Sequence, residues 1–462
     1  MKSIVVSLFA AVVGCAIVQP VFGAEGIKAK EEVLHSFGSG TDGAAPASGL
    51  IDAMGILYGT TNGGGANCAD IGGCGTVFSL NPKSGAETVI YSFCGQRNCT
   101  DGDSSNGSLI DLGGTLYGTT AFGGASGSCY PQGCGTVFAL DPATGAERVL
   151  YSFCSQTNCG DGERPRAGLV DAKGTLYGTA PQGGSTNCGG GCGIVFAIDP
   201  NSGAERVIYT FCSQQNCPDG SDPEAGLIAI KGTLYGTTGS GGAYDRGTVF
   251  ALDRASGMET VVYSFCAQQN CADGQRPLAP PIMFRGLLYG TTELGGAYGF
   301  GSVFSVDPQT GAETVLHSFC DPQSCTDGST PHDALIVDKG KIFGMTSFGG
   351  AGTSNAGVVF GLDPESGAET ILYSFCSQPN CADGGFPAAG LLKLGQKLYG
   401  VTENGGGYGY GTAFSLKPRL NISWLRNSLN DQRPQRPGTR VHVTGWMLSD
   451  GLGCGMLLVV VT

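Results

Sequence analysis

The residues with chemistry to offer are cysteines, carboxylates and aromatic rings, and they recur at regular intervals. Six pairs share the spacing Cys-x4-Cys: Cys94/Cys99, Cys154/Cys159, Cys212/Cys217, Cys266/Cys271, Cys320/Cys325 and Cys376/Cys381. Three further pairs follow a Gly-Gly step: Cys68/Cys74, Cys129/Cys134 and Cys188/Cys192. Thiols this regular either close local disulfides or gather as thiolates around a metal. Zinc would mostly need four-thiolate sites, because the chain holds only 4 His. In an exported protein the disulfide reading is favoured for all nine pairs, each closing a short loop worth about 2 kcal/mol on the chain-entropy model. No metal site and no cofactor is expected. Cys454 remains alone, as a free or intermolecular thiol.

An Asp-Gly step follows the Cys-x4-Cys pairs, as in Asp161-Gly162, Asp273-Gly274 and Asp383-Gly384. Carboxylates are densest at Asp101-Gly-Asp103 and Asp219-Gly-Ser-Asp222. Their oxygens suit calcium, but the same dipeptide serves β-turns for backbone reasons. Its recurrence from unit to unit supports the turn. The aromatics differ in kind. Where three units carry a Cys pair after Gly-Gly, three others carry Tyr244-Asp245-Arg246, Tyr298-Gly-Phe300 and Tyr408-Gly-Tyr410. Rings beside glycine can stack on sugars or anchor a protein partner; the alternative is a ring folded back on its own loop. Signatures of catalysis are missing. There is no Gly-x-Ser-x-Gly elbow, His-Glu-x-x-His pair or P-loop. Both Trp residues, Trp424 and Trp446, lie near the C-terminus.

These residues hang on a repeat. Leu-Tyr-Gly-Thr-Thr begins at 57, 116, 234 and 288, Leu-Tyr-Gly-Thr-Ala at 176, and degenerate copies run Ile342 to Thr346 and Leu398 to Thr402. Seven copies stand 54 to 60 residues apart. Each unit holds four strand-like pieces separated by Gly-rich turns. In the second these are 89–93, 108–111, 116–120 and 135–141. A four-stranded antiparallel meander repeated around an axis is a β-propeller, and no 3.6-residue apolar period supports helices. The expected order from the axis outwards is Gly-Leu-Ile, Leu-Tyr-Gly, Gly-Thr-Val-Phe, then Val-Leu-Tyr-Ser-Phe. Residues 32–37 are then a lone outermost strand, and the last unit, ending near Leu416, lacks one. The fold expected is all-β, a seven-bladed propeller over 32–418, closed by the N-terminal strand completing the last blade. In such a meander the two long connections emerge on one face, so the cysteine pairs and aromatics share it. Loops on a rigid scaffold are where function usually lives, although long, stapled loops also serve durability alone.

Bulk composition agrees. Of 462 residues 81 are Gly, 41% are apolar and only 14% charged. The formal charge of −13 speaks against nucleic acid and against docking on anionic lipid. Residues 1–23 read as an export signal, with Lys2, an apolar run from Ile4 to Val18 and Val21-Phe22-Gly23 before the cut. A lipid anchor on Cys15 is a minor alternative. Residues 24–31 read as a linker, and no later stretch is long and apolar enough to span a membrane. The protein is expected in the periplasm, outside the cell or on its surface.

The unit Gly-Leu-Ile, Leu-Tyr-Gly-Thr-Thr, Gly-Gly, Gly-Thr-Val-Phe-x-Leu-Asp-Pro-x-x-Gly-Ala-Glu, Val-Leu-Tyr-Ser-Phe resembles the GloVer tandem repeat of bacterial exported proteins, the "choice-of-anchor" group, over roughly residues 32–418. The resemblance implies a secreted or surface repeat protein and brings no catalytic residues. Residues 419–462 depart from the repeat; 437–445 are similar to the opening strand of a truncated Ig-like module. The expected function is non-enzymatic binding or surface structure, with a glycan or protein ligand on the long-loop face. The alternatives are a glycosidase or lyase using loop-face carboxylates, and a purely structural envelope protein.

Overall fold

The computed structural model describes residues 29–418, apart from 39, 68–72, 127–128, 130–132, 321–323 and 352–353. The export signal, Cys15, Cys68, Cys454 and the segment 419–462 lie outside the described residues.

Seven antiparallel sheets form seven blades. In the second, the innermost strand Ile110–Leu112 pairs with Thr115–Thr120, then come Thr136–Leu140 and the outermost Glu147–Ser152. In the last, Leu392–Leu394, Lys397–Asn404 and Thr412–Lys417 come from the C-terminal end of the repeat. Its outermost strand is Lys30–Ser36, antiparallel to Thr412–Lys417 from the Lys30/Lys417 pair to the Ser36/Thr412 pair. The strand starts two residues earlier than the sequence suggested, so Lys30 and Glu31 belong to the blade. The N-terminal strand thus closes the ring and covers an edge that would otherwise stand open.

Two residues of the repeat lock neighbouring blades. The Phe ending each outermost strand meets the Phe of the next blade's third strand edge-on. Phe93 meets Phe138, Phe153 meets Phe196, and Phe37 meets Phe78 across the closure. All seven such pairs have ring centroids 4.9–5.2 Å apart. The third-strand Phe lies over the Gly of Leu-Tyr-Gly on the paired strand. A Cβ on Gly178 would stand 2.5 Å from Phe196 Cζ, and one on Gly118 2.6 Å from Phe138 Cζ. That contact is why the motif holds glycine there. Between third and outermost strands every blade carries a register shift, as at Val137/Phe138, which adds to the twist.

Candidate functional site

The long connections, second-to-third strand within a blade and outermost strand to the next blade, emerge on one face. They are fastened there three times over. First come disulfides. All six Cys-x4-Cys pairs close: Cys94–Cys99, Cys154–Cys159, Cys212–Cys217, Cys266–Cys271, Cys320–Cys325 and Cys376–Cys381. Cys129–Cys134 and Cys188–Cys192 close as well. The Cys68/Cys74 pairing involves residue 68, outside the described residues. Both cysteines of each Cys-x4-Cys pair have positive φ, for example 61° at Cys154 and 52° at Cys159. That conformation is unfavourable for residues other than glycine, so it needs holding. Eight disulfides fit a non-reducing environment, and no helix among the described residues is long and apolar enough to cross a membrane.

The second cysteine of each pair also serves through its backbone carbonyl. Cys271 O accepts Gly274 N at 2.9 Å and Gly296 N of the next blade at 3.0 Å. Cys325 O does the same with Gly328 N and Gly350 N, at 3.1 and 2.9 Å, and Cys381 O with Gly384 N and Gly406 N, both at 2.9 Å. Cys99, Cys159 and Cys217 repeat the pattern. The disulfide therefore fixes a carbonyl that joins two blades. The setting of the sulfurs divides the pairs in two. Cys154–Cys159 and Cys212–Cys217 each lie against a second pair, Cys129–Cys134 and Cys188–Cys192. Cys271, Cys325 and Cys381 are half-buried with no second pair beside them among the described residues, because their blades' partners carry no Cys after Gly-Gly.

Second, the Asp of each Asp-Gly binds its own loop. Asp161 is fully buried. Its carboxylate accepts the Tyr151 hydroxyl at 2.7 Å and the amides of Ser155 and Gln156 at 2.8 and 3.2 Å. Asp101, Asp273 and Asp383 repeat this with Tyr91, Tyr263 and Tyr373. Third, one backbone bond per junction ties each second-to-third loop to the next blade. Arg276 N donates to Arg246 O, Thr330 N to Phe300 O and Ala45 N to Tyr410 O. Arg246, Phe300 and Tyr410 therefore occupy the place that Cys134 and Cys192 hold elsewhere, where the donors are Arg164 N and Asp222 N.

On these clamped loops Tyr244, Tyr298, Phe300, Tyr408 and Tyr410 stand 36% to 69% exposed. They are spread over blades four, five and seven. Blade six adds Phe348, also exposed. Asp245 and Arg246 serve their own loop: Asp245 Oδ1 accepts Gly241 N at 3.1 Å, and an Arg246 guanidinium N–H donates to Asp245 O at 2.9 Å.

A cavity of about 290 Å³ opens on the same face between blades six and seven, lined by His332, Ser347, Phe348, Phe386, Ala388, Glu403 and Asn404. Phe348 and Phe386 meet edge-on at 5.4 Å. Ser347 Oγ lies 2.6 Å from His332 Nε2, and His332 Nδ1 lies 3.5 Å from Asp333 Oδ1. Burial pushes the Asp333 carboxyl up to about 6, with His332 opposing and Glu403 reinforcing the shift. Burial likewise raises Glu403, against the pull of His332. Hydroxyl, imidazole and carboxylate in this order resemble a nucleophile relay. An oxyanion beside Ser347 would nevertheless lack backbone donors, because Phe348 N donates to Ser329 O at 3.2 Å and Gly349 N to Asn355 Oδ1 at 2.6 Å. The Ser347 hydroxyl also lies 3.0 Å from Pro387 O. The sequence reading missed this group. Its one signal was that the sixth unit strays furthest from the repeat, with Met345 where five other units have Thr and His332-Asp333 where blade three has Arg166-Ala167. A second cavity, about 370 Å³, lies by the short turns and is lined by Asp253, Met258 and Pro308 to Gly311. The Asp-Pro-x-x-Gly turn that frames it recurs in most blades, so it marks no special blade.

A further group recurs at every junction: a Glu opening one outermost strand faces the Asp of the preceding blade. Burial, then the charge of Asp101, raises Glu147 to about 7; burial and Asp161 do the same to Glu205. Glu31, Glu87, Glu259 and Glu313 are likewise raised to about 7, and Glu369 to about 8. Tyr or His stands between each pair; Tyr91, for instance, points its hydroxyl at Asp101 from 2.8 Å and at Glu147 from 3.5 Å.

The blades and stapled loops define a seven-bladed β-propeller built from one tandem repeat. The chain belongs to the Gloeobacter/Verrucomicrobia repeat family, which it matches over residues 21–191 and 189–414. No curated protein matches it significantly in sequence. Among solved structures it is similar to an oligogalacturonate lyase in complex with manganese, with TM-score 0.44, 10% identity, and coverage of 86% of this chain and 98% of that one. It is also similar to a puromycin hydrolase mutant in complex with PGG, with TM-score 0.46, 16% identity, and coverage of 77% and 50%.

Proposed function

We propose that this is an exported, non-enzymatic binding propeller that holds an uncharged polysaccharide on its long-loop face. The observation that carries the reading is the set of exposed rings, Tyr244, Tyr298, Phe300, Phe348, Tyr408 and Tyr410, on loops tied by backbone bonds to the next blade. Rings carried on a tied backbone give up less entropy when a sugar face stacks on them than rings on a free loop. His332, Glu403 and Asn404 lie beside Phe348 and supply hydrogen-bonding groups for sugar hydroxyls. The formal charge of −13 favours neutral chains over polyuronates. The test is binding to an array of neutral and acidic polysaccharides, wild type against Tyr298→Ala with Tyr408→Ala. Losing two stacking contacts at about 0.5–1.5 kcal/mol each lowers affinity roughly 5- to 150-fold. An unchanged signal in the double variant would sink the proposal. An enzyme reading has one observation behind it, the Ser347–His332–Asp333 alignment. Polysaccharide or ester hydrolysis that disappears in Ser347→Ala would replace binding with catalysis.

A further inference from the structure

Five of the seven blade junctions place a Tyr between the Asp and the Glu, and two place a His. The His junctions join His35, Asp42 and Glu87 where the N-terminal strand meets blade one, and His317, Asp327 and Glu369 between blades five and six. In each trio one ligand atom per residue lies within 4.8 Å of the others. We propose that these two junctions are divalent transition-metal sites, each ligated by one imidazole and two carboxylates from adjacent blades.

The geometry separates the two kinds of junction. Where Tyr is present, its hydroxyl reaches the Asp at 2.7–2.8 Å, an ordinary hydrogen bond. The imidazoles stop short: His35 Nε2 is 3.3 Å from Asp42 Oδ2, and His317 Nε2 is 3.3 Å from Asp327 Oδ2. That exceeds a good N–H···O contact, whereas the edge of a tetrahedron with 2.0–2.1 Å bonds is ~3.3 Å. His317 Nε2 to Glu369 Oε2, at 3.9 Å, needs only a small closure to join it.

Glu87 Oε1 and Glu369 Oε1 are buried and have no hydrogen-bond partner among the described residues, and the same holds for the matching oxygen of Glu31, Glu147, Glu205, Glu259 and Glu313 at the Tyr junctions; only at the two His junctions does an imidazole nitrogen join the carboxylates as a metal-ligating atom. Among the described residues no Lys or Arg forms an ion pair with either trio; the ion pairs of Asp42, Asp327 and Glu369 are with His alone. Each imidazole and its Asp stay about a fifth to a quarter exposed, which leaves an entry path and room for water as a further ligand. A mixed imidazole–carboxylate set suits zinc and its first-row neighbours better than calcium. The scarcity of His had argued against metal from sequence, but one His per site suffices when the carboxylates come from the neighbouring blade.

The test uses the full exported chain, oxidised and without a histidine tag, stripped with EDTA and then titrated with zinc or calcium. Calorimetry should find two zinc ions per chain and much weaker calcium binding, and zinc should raise the melting temperature. His35→Tyr and His317→Tyr install the residue that the other five blades carry. Each should leave one zinc site, and together none, with the zinc-free melting temperature kept. Glu87→Gln with Glu369→Gln provides a second disabled form should a Tyr variant fold poorly. A wild type that binds no zinc overturns the proposal. So do disabled variants that still bind two ions, because the metal then sits elsewhere, for example on the grouped cysteines.

Discussion

Truncating Phe37 to alanine tests whether the N-terminal strand closes the ring with full strength. Phe37 is fully buried and meets Phe78 of blade one at 5.1 Å. Phe153, in the middle of the repeat, is fully buried and meets Phe196 at 5.0 Å. Removing a buried Phe costs about 3–5 kcal/mol through lost transfer energy and a cavity, and an edge-on ring pair adds about 0.5–1.5 kcal/mol. In a closed ring the two positions have matching surroundings, so Phe37→Ala and Phe153→Ala should cost about the same. Were the N-terminal strand only loosely laid on, Phe37→Ala would be cheap while Phe153→Ala kept its full cost. The assay is chemical denaturation of both variants and wild type, followed by far-ultraviolet circular dichroism. A Phe37→Ala loss below about 1 kcal/mol beside a Phe153→Ala loss above about 3 kcal/mol would refute the closed-ring argument.

Two more predictions concern the junctions and loops. The junction glutamates bind protons more tightly folded, near pH 7, than unfolded, near 4.5. Between those values the folded form holds the extra protons, so their contribution is full below about 4.5 and is lost as pH rises through 7. The melting temperature should therefore fall from pH 5.5 to 8.5, and Glu259→Gln, which keeps a neutral head group, should reduce that slope; a midpoint that rises with pH contradicts it. In the loop after blade two, Asp161→Ala strands the amides of Ser155 and Gln156 and takes the shared acceptor from the Tyr151 and Ser155 hydroxyls. It should cost about 3 kcal/mol or more, against about 2 kcal/mol for Cys154→Ser with Cys159→Ser. Denaturation midpoints that rank the two the other way would show that the disulfide, not the carboxylate, holds the loop.

What was legible in the sequence was whatever repeats in linear order. The Leu-Tyr-Gly and Val-Phe strings recur in one phase, so strand order and closure could be read directly. The aromatic positions were legible for the opposite reason: they interrupt a fixed loop where other units carry Cys. The junctions were not. Tyr91 and Glu147 are 56 residues apart, and in a repeat every Tyr has seven equivalent Glu candidates, so only the packing of blades names the partner. The cysteine spacing announced the disulfides, but not that the carbonyls of Cys271, Cys325 and Cys381 reach into the next blade. Asp-Gly read as a turn, and the turn is there, yet its carboxylate also reaches the Tyr hydroxyl of its own outermost strand. His332, Ser347 and Glu403 come from three segments of two blades, and only the ring brings them together.

The pairing of Lys30–Ser36 with Thr412–Lys417 also sets an order of assembly. Each of the first six blades draws its four strands from one continuous stretch, so it can form as soon as that stretch has emerged from the ribosome. The seventh cannot. Its outermost strand is made almost first and waits for a partner nearly 400 residues downstream. Loop-closure entropy grows only slowly with length, so the wait costs little free energy once the rest is built. It costs time, because contacts this far apart form last. Until then both edges of the final junction are open to pairing with other chains, and closing the ring ends that exposure.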